Sequence, residues 1–324
     1  MGCSNNSVAE KSSRKSFSRY KNIYTIEKYE PNLKKDYGTV SFLELDKGTF
    51  LVSTQNNKII LYDIKKYEVI LAIPINSTAN TITRTKNDKI LFGDDDRIIF
   101  ILEINKNNNY NLINSYSCKS SITKIIEYKE DKLIVSSFKE ISFFNIGADN
   151  KLILKQKLKN HLSETDIYNI YIMDNLLLSF SYEQGKGDKN EIIIYDLNDN
   201  NKIVHKESKA SVVPWCNTVS KFNSEILIIA GNRCEIRIFE IKTFKILTEI
   251  NDIDFFYSIF CYGSKIFCGG DSGKIYEFEY NEKENSLKLI NEIQIHESSI
   301  FSINRLSSGE IVTTSRDGKI KFFR

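Results

Sequence analysis

Short apolar runs separated by turns of two or three polar residues recur along the whole chain, and its last 29 residues show the pattern most clearly. In residues 296–324, the apolar runs occupy 300–306, 311–315 and 320–323. Two glycine-containing turns separate them, at 307–309 and 316–318. Runs of this length between such turns are typical of antiparallel hairpins. The pattern predicts three consecutive strands at this end of the chain.

The same cycle recurs seven times. An aromatic residue or Leu followed by a polar residue ends the third strand of each cycle: Tyr62-Asp63, Leu102-Glu103, Phe144-Asn145, Tyr195-Asp196, Phe239-Glu240, Phe278-Glu279 and Phe323-Arg324. The spacing is about 40–45 residues, apart from one longer interval that contains the loop at 184–190, and this period with four short strands per cycle is typical of propeller blades. No long stretch has helical periodicity. The sequence therefore predicts an all-β, seven-bladed β-propeller.

The last cycle resembles the WD-repeat family of β-propellers. His296, Ser315, Asp317 and Phe323 fall where that family places a His, a Ser or Thr, an Asp and a Trp that hydrogen-bond across a blade. Phe323 replaces the Trp and has no N–H group to donate. The other cycles are divergent, with Asp63 and Asp196 at the Asp of the family's Trp-Asp pair. The resemblance spans about residues 22–324, and it implies a structural network in the last blade.

The family resemblance also implies how the ring closes. The last cycle has only three strands, and an uncovered sheet edge is a liability that proteins usually avoid. Residues 20–30 read as a single strand with no partner next to it in sequence. We therefore expect this N-terminal strand to complete the C-terminal blade. The predicted organisation is a flexible basic tail at 1–19, followed by one propeller at 20–324.

Composition narrows the classes of function. The net charge is +3, and the propeller part has no run of five or six basic residues, so nucleic-acid binding has little support. The six cysteines form no Cys-x-x-Cys pair, and no apolar segment resembles a signal peptide or a spanning helix. These features favour a chain with reduced thiols in the cytoplasm.

The N-terminal tail suggests a membrane tether. Gly2 after the initiator Met resembles a myristoylation site, and Cys3 beside it would be a palmitoylation site. Asn6 departs from the usual pattern, which has Ser or Thr there. Basic residues at 11–21 would supply the second signal that stable anchoring requires. The alternative is a Ser-rich basic tail with a chance Gly2. The tether would place the protein at the cytosolic face of a membrane.

Candidate chemistry is sparse, so we predict no enzyme, no catalytic residue, no metal site and no cofactor. The chain has only three histidines. His161 and His205 lie at blade junctions and are interpreted as solvated or structural. No histidine stands at zinc-ligand spacing from another His or a Cys. The acidic run at 94–96 is interpreted as a solvated hairpin turn rather than a cation site.

The remaining candidate site is a rim of the central channel. By the family resemblance, the residues near the start of each first strand that face this rim are about Ser41, Asn80, Thr123, Tyr168, Cys216, Tyr257 and Phe301. Tyr168, Tyr257 and Phe301, together with Trp215, the only Trp, would form an aromatic patch of the kind enriched at binding hot spots. The alternative is that these side chains pack between blades.

The predicted function is a non-catalytic scaffold that binds a protein or peptide. The ring is expected to be monomeric within a larger complex. Two alternatives remain: a propeller hydrolase or lyase with its site in the channel, and a phosphoinositide-binding propeller. The first would need clustered His, Asp and Glu at the blade openings, and the second a paired-Arg motif, neither of which the sequence contains.

Overall fold

The computed structural model describes residues 21–26, 38–46, 48–105, 107–183, 189–208, 216–231 and 235–324. Within these ranges every regular element is a β-strand, and the strands form seven four-stranded antiparallel sheets. Each sheet is one blade of a ring, with its first strand at the central channel and its fourth strand at the circumference. The predicted all-β, seven-bladed propeller is confirmed.

The first four blades take their strands in chain order. Blade one contains β2 (Thr39–Asp46), β3 (Thr49–Thr54), β4 (Lys58–Asp63) and β5 (Glu68–Pro74). Blade two contains β6 (Ala79–Arg84), β7 (Ile90–Asp94), β8 (Ile98–Ile104) and β9 (Tyr110–Ser117). Blade three contains β10 (Ile122–Lys129), β11 (Lys132–Ser137), β12 (Glu140–Ile146) and β13 (Leu152–Leu158). Blade four contains β14 (Asp166–Met173), β15 (Leu176–Tyr182), β16 (Asn190–Asp196) and β17 (Lys202–Glu207).

The last three blades include the one that joins the two ends of the chain. Blade five contains β18 (Cys216–Lys221), β19 (Ile226–Gly231), β20 (Ile236–Glu240) and β21 (Lys245–Ile250). Blade six contains β22 (Phe256–Tyr262), β23 (Lys265–Gly270), β24 (Lys274–Asn281) and β25 (Ser286–Gln294). Blade seven contains β26 (Ile300–Arg305), β27 (Ile311–Ser315), β28 (Ile320–Phe323) and β1 (Asn22–Ile26).

Blade seven is completed by the N-terminal strand, as the sequence predicted. β1 pairs antiparallel with β28, with Asn22 opposite Phe323 and Ile26 opposite Ile320. The backbone amides of Lys21 and Arg324 each donate to the carbonyl of the other, at 3.0 and 3.1 Å. The otherwise bare edge of β28 is thereby covered.

The hydrophobic core lies between blades rather than within them. Seven apolar clusters fill the seven interfaces between neighbouring sheets. At the interface of blades seven and one, Ile26, Phe50, Tyr62 and Phe322 are buried together. Gly93 permits a similarly close approach of blades two and three, because a Cβ there would lie 2.3 Å from Ile122. The blades therefore stabilise one another as a ring.

Candidate functional site

The first strand of every blade carries a β-bulge near its start. In each case the register with the second strand skips one residue: Val40, Asn80, Thr123, Tyr168, Asn217, Tyr257 and Phe301. All seven are partly exposed and line the channel. A bulge redirects a side chain out of the sheet's alternation, so these residues form a ring, which we call the mouth ring. The rim that contains it is called the upper rim, and the opposite one the lower rim.

Two of the seven expected rim positions were wrong by one residue. The bulged residues are Val40 and Asn217 rather than Ser41 and Cys216. Cys216 is fully buried, and it packs with Phe180 and Ile229 between blades four and five. The apolar run alone does not show where the extra residue of a bulge is inserted, because the bulge is defined by pairing with the second strand.

The mouth ring is aromatic on one side. Tyr257 and Phe301, in blades six and seven, meet edge to face with ring centroids 5.2 Å apart. The Tyr257 hydroxyl donates to Asp271 Oδ1 at 3.2 Å, and Ser299 donates to the same oxygen at 2.5 Å. Burial and the neighbouring Asp271 carboxylate raise the pKa of Tyr257 to about 12. Tyr257 is therefore a neutral, oriented ring. Next to it, Phe255 exposes 41% of its surface.

Tyr168 contributes a second aromatic contact on the same side of the ring. Its ring stacks on Tyr182 at 3.8 Å, nearly parallel, and lies 5.4 Å from Phe138. The mouth position between Tyr168 and Tyr257 is Asn217 of blade five. Trp215, the fourth residue of the predicted patch, lies outside the described residues. Across the ring, the corresponding positions are Asn80 and Thr123, so the aromatic character is confined to one side.

His296 is the centre of a buried network in blade seven. Its Nδ1 lies 3.0 and 3.2 Å from the Asp317 carboxylate oxygens, and its Nε2 lies 2.8 Å from Thr313 Oγ1. Asp317 also accepts the backbone N–H groups of Glu297 and Lys319. Hydrogen bonds from His296 and these amides outweigh burial and lower the pKa of Asp317 to about 2. The network therefore holds an ionised carboxylate beside a buried imidazole.

The other two residues that the resemblance placed in this network have different contacts. Ser315 Oγ donates to the carbonyl of Ser298 at 3.0 Å and accepts the backbone N–H of Asp317 at 3.1 Å. The hydroxyl at His296 belongs instead to Thr313. Phe323 is buried among Phe267, Ile300 and other apolar side chains between blades six and seven. It therefore acts in packing.

His161 forms a second buried network, in blade four, that sequence reasoning did not identify. Its Nε2 lies 2.6 Å from Ser179 Oγ, and its Nδ1 lies 2.8 Å from Ser181 Oγ and 3.3 Å from Glu191 Oε2. Glu191 also accepts the backbone N–H of Leu162 at 2.6 Å. Ser179 pairs across the strands with Ile170 as Thr313 does with Ile303. The equivalent positions of Ser179 and Thr313 could have indicated this network from the sequence, but the repeats are too divergent for the equivalence to be recognised.

The blade-four network has the atom order of a serine–histidine–acid triad but not its accessibility. A catalytic hydroxyl has to meet substrate, whereas Ser179 and Glu191 are completely buried. The corresponding network in blade seven is buried as well, with His296 only 2% exposed. The repetition of the arrangement in two blades, without access from solvent, favours a structural role.

Other candidate chemistry is equally limited in the part of the chain that the structure describes. It contains no group of three His, Cys, Asp or Glu side chains that could hold a metal ion. In the acidic turn at 94–96, Asp95 and Asp96 are exposed, as expected of a solvated turn. Asp94 differs, because it is fully buried and accepts the backbone N–H of Ile98 at 2.8 Å. His205 stacks on Phe244 at 4.8 Å. Among the described residues, no helix is long and apolar enough to cross a membrane.

Comparison with solved structures shows what this architecture is similar to. The WD40 β-propeller domain of Doa1 superimposes with a TM-score of 0.70 and 16% sequence identity, covering 95% of this chain and 98% of that one. The structures of U3-55K and of the WD40 repeats of RRP9 each give a TM-score of 0.70 at 11% identity, covering 90% of this chain and 96% of theirs. No protein-family model and no curated protein sequence matches the chain. The chain thus has the fold of the WD40 β-propellers, built from divergent repeats.

Proposed function

We propose that this protein is a non-catalytic scaffold that binds a protein or peptide partner at its upper rim. The observation that carries the proposal is the Tyr257–Phe301 contact, which places two partly exposed aromatic rings side by side on adjacent blades at the channel mouth. Exposed Phe255 extends this surface. Aromatic residues in a rigid setting are common anchors of binding, because they bury a large area with little loss of side-chain entropy.

The rigidity of the surface supports this interpretation. The Tyr257 hydroxyl is held by Asp271, which Ser299 of the next blade also contacts. A partner that covers these rings would therefore meet a surface that is already ordered. Binding then costs less conformational entropy than binding to a surface that has to become ordered first. The Ser179 hydroxyl contacts His161 as a catalytic serine would, but it is completely buried and cannot meet a substrate. This favours a scaffold over an enzyme.

The location of the protein is a second part of the proposal. Acylation at Gly2 and Cys3, with the basic residues that follow, would tether the chain to the cytosolic face of a membrane. Gly2 and Cys3 lie outside the described residues. Lys21, the first described residue, hydrogen-bonds to Arg324 at the lower rim. A tether that leaves the ring there would be on the side opposite the aromatic mouth, so a partner could approach from the cytoplasm.

Affinity purification with mass spectrometry tests both parts in one experiment with three variants. The first variant combines Tyr257→Asn with Phe301→Thr, which are the residue types at the same position of blades two and three. The second is Gly2→Ala. The third, Tyr262→Asn, changes an exposed aromatic on the lower rim as a matched control.

We expect the mouth variant to lose the partners that wild type and Tyr262→Asn both retain, while its unfolding temperature stays within a few degrees of wild type. We expect Gly2→Ala to leave the membrane fraction. An unchanged partner set in the folded mouth variant would reject the binding surface. An unchanged membrane fraction in Gly2→Ala would reject the tether and leave the binding surface untouched.

A further inference from the structure

The residues directly after the mouth ring form a second ring inside the channel, which we call the inner ring. Its members occupy the same register position in all seven blades: Ser41, Thr81, Lys124, Asn169, Thr218, Ser258 and Ser302. Every member is polar, and all seven line the channel. Six carry a neutral hydroxyl or amide. Lys124, in blade three, carries the ring's one charge.

The neutral members connect neighbouring blades. Ser258 Oγ donates to the carbonyl of Ile300 in blade seven at 3.3 Å, and Ser41 Oγ accepts the backbone N–H of Ile82 in blade two at 3.3 Å. Asn169 Nδ2 donates to the carbonyl of Asn217 in blade five at 2.7 Å. Lys124 differs, because its ammonium group makes no hydrogen bond or ion pair with any described residue. The charged side chain of Lys124 is therefore not needed for the contacts between blades.

The channel does not supply a counter-ion for Lys124. The other charged residues among the described part of its lining are Arg84 and Glu127. Arg84 pairs with Asp88 at 2.9 Å, and Glu127 accepts the backbone N–H groups of Lys86 and Asp131. Burial lowers the pKa of Lys124, which is the direction expected for an ammonium group that is desolvated without an opposite charge.

The titratable group on another blade that interacts with Lys124 also fails to compensate the charge. Cys216 interacts electrostatically with Lys124, but burial raises the pKa of its thiol well above the usual value. The thiol is therefore neutral at physiological pH. An unpaired, partly desolvated ammonium group is unfavourable, and an anion that enters the channel would relieve that cost.

Asn169 adds an unpartnered acceptor in the adjacent blade. Its Nδ2 must face the carbonyl of Asn217, since a flipped amide would place two acceptor oxygens 2.7 Å apart. The amide orientation is thereby fixed, and it leaves Oδ1 buried with no hydrogen-bond partner among the described residues. Asn169 is only 4% exposed. A buried acceptor without a donor is uncommon and costs free energy, so this site favours a ligand that brings a hydroxyl group.

We propose that the central channel binds a small hydroxylated anion, whose phosphate or carboxylate group pairs with Lys124 and whose hydroxyl group donates to Asn169 Oδ1 once the side chains that cover this oxygen shift to admit the ligand. The channel cavity has a volume of about 580 Å³, which lies in the range of small-molecule sites. The remaining inner-ring hydroxyls would contact the rest of the ligand. This site is separate from the aromatic surface, and it can exist whether or not a protein partner binds there.

Isothermal titration calorimetry of the full chain tests the proposal with three probes at constant ionic strength. Glycerol 3-phosphate carries both groups, propyl phosphate carries the anion alone, and glycerate replaces phosphate with carboxylate. The variants use residue types found elsewhere in the inner ring, so that the blades remain joined: Lys124→Thr and Asn169→Ser. Lys155→Thr, at an exposed position of β13, removes the same charge away from the channel. Lys124→Met replaces Lys124→Thr if the latter does not fold.

We expect glycerol 3-phosphate to bind wild type and Lys155→Thr equally, and to bind Lys124→Thr about tenfold more weakly or worse. In Asn169→Ser, we expect the advantage of glycerol 3-phosphate over propyl phosphate to disappear. The affinity of glycerate relative to glycerol 3-phosphate then identifies the anionic group. Absence of binding by every probe, or binding that persists in folded Lys124→Thr, would overturn the proposal.

Discussion

Blades four and seven both bury a histidine beside a hydroxyl and a carboxylate, but they take the carboxylate from different places. In blade seven it is Asp317, in the turn between β27 and β28. In blade four it is Glu191, in β16, and Lys206 of the fourth strand joins it at 3.0 Å. In both blades the histidine contacts a hydroxyl of the second strand, whereas the position of the acidic residue differs. A longer side chain that begins on the third strand can occupy the same space as a shorter one in the turn.

The two blades also differ in how the chain builds them. Blade four comes from the single stretch 166–207, whereas blade seven combines residues 300–323 with β1. Only blade seven therefore depends on contacts between the two ends of the chain. A buried histidine network can stabilise either blade. Loss of a strand at a chain end, in contrast, can open only blade seven.

Removal of β1, which only blade seven takes from the other end of the chain, is expected to have the largest effect on stability. Deleting residues 1–26 should lower the free energy of unfolding by about 3–5 kcal/mol, because buried Ile26 and the strand pairing with β28 are both lost. Chemical denaturation followed by circular dichroism measures the change. Deleting residues 1–20 is the control and should leave stability near that of wild type. Equal losses in the two truncations would show that β1 does not close the ring.

Acid should destabilise both networks, and blade four more. The folded pKa is lowered to about 2 for Glu191, from 4.5, and for Asp317, from 3.8. Stability from a lowered carboxyl pKa is present above the unfolded value and is lost as the pH falls towards the folded one. The loss should be about 3 kcal/mol for Glu191 and about 2 kcal/mol for Asp317.

Protonation of the two histidines also favours unfolding, and it begins at a higher pH than protonation of the carboxylates. Burial lowers the pKa of both His161 and His296 below 6.5, despite the neighbouring carboxylates. The unfolded chain therefore takes up these protons first, and stability begins to fall below pH 6.5. Unfolding measured from pH 7 to 3 should show a flatter profile in Glu191→Gln than in Asp317→Asn. A profile that neither substitution changes would contradict the assignment.

The smallest effect distinguishes two neighbouring hydroxyls in β27. Thr313→Val should cost about 1 kcal/mol, because it leaves His296 Nε2 without its partner. Thr314→Val is the matched control: the Thr314 hydroxyl is buried without a hydrogen-bond partner among the described residues, so its removal should be neutral or stabilising. Thermal unfolding of the two variants gives the difference. Equal destabilisation would mean that the His296–Thr313 bond contributes nothing.

The apolar pattern was sufficient for the number of blades, because strand length, turn residues and period are local properties. The role of β1 was predicted from the family resemblance together with the bare edge of the last blade. Site positions were harder to predict. Tyr168, Tyr257 and Phe301 were placed on the mouth ring, whereas Val40 and Asn217 were each missed by one residue. A bulge depends on the pairing of two strands, and an apolar run in one of them does not reveal it. The network of His161 was missed because its acid lies 30 residues away, on another strand.

The sequence by itself determined the repeating strand pattern, the missing fourth strand of the last cycle and the spare strand that fills it. These follow from side-chain alternation, turn chemistry and the cost of a bare sheet edge. Only the tertiary structure decided which hydroxyl meets His296, which carboxylate meets His161, and that Lys124 is the lone charge of the inner ring. Such contacts depend on distances between strands that are far apart in the chain, and closure of the ring brings those strands together.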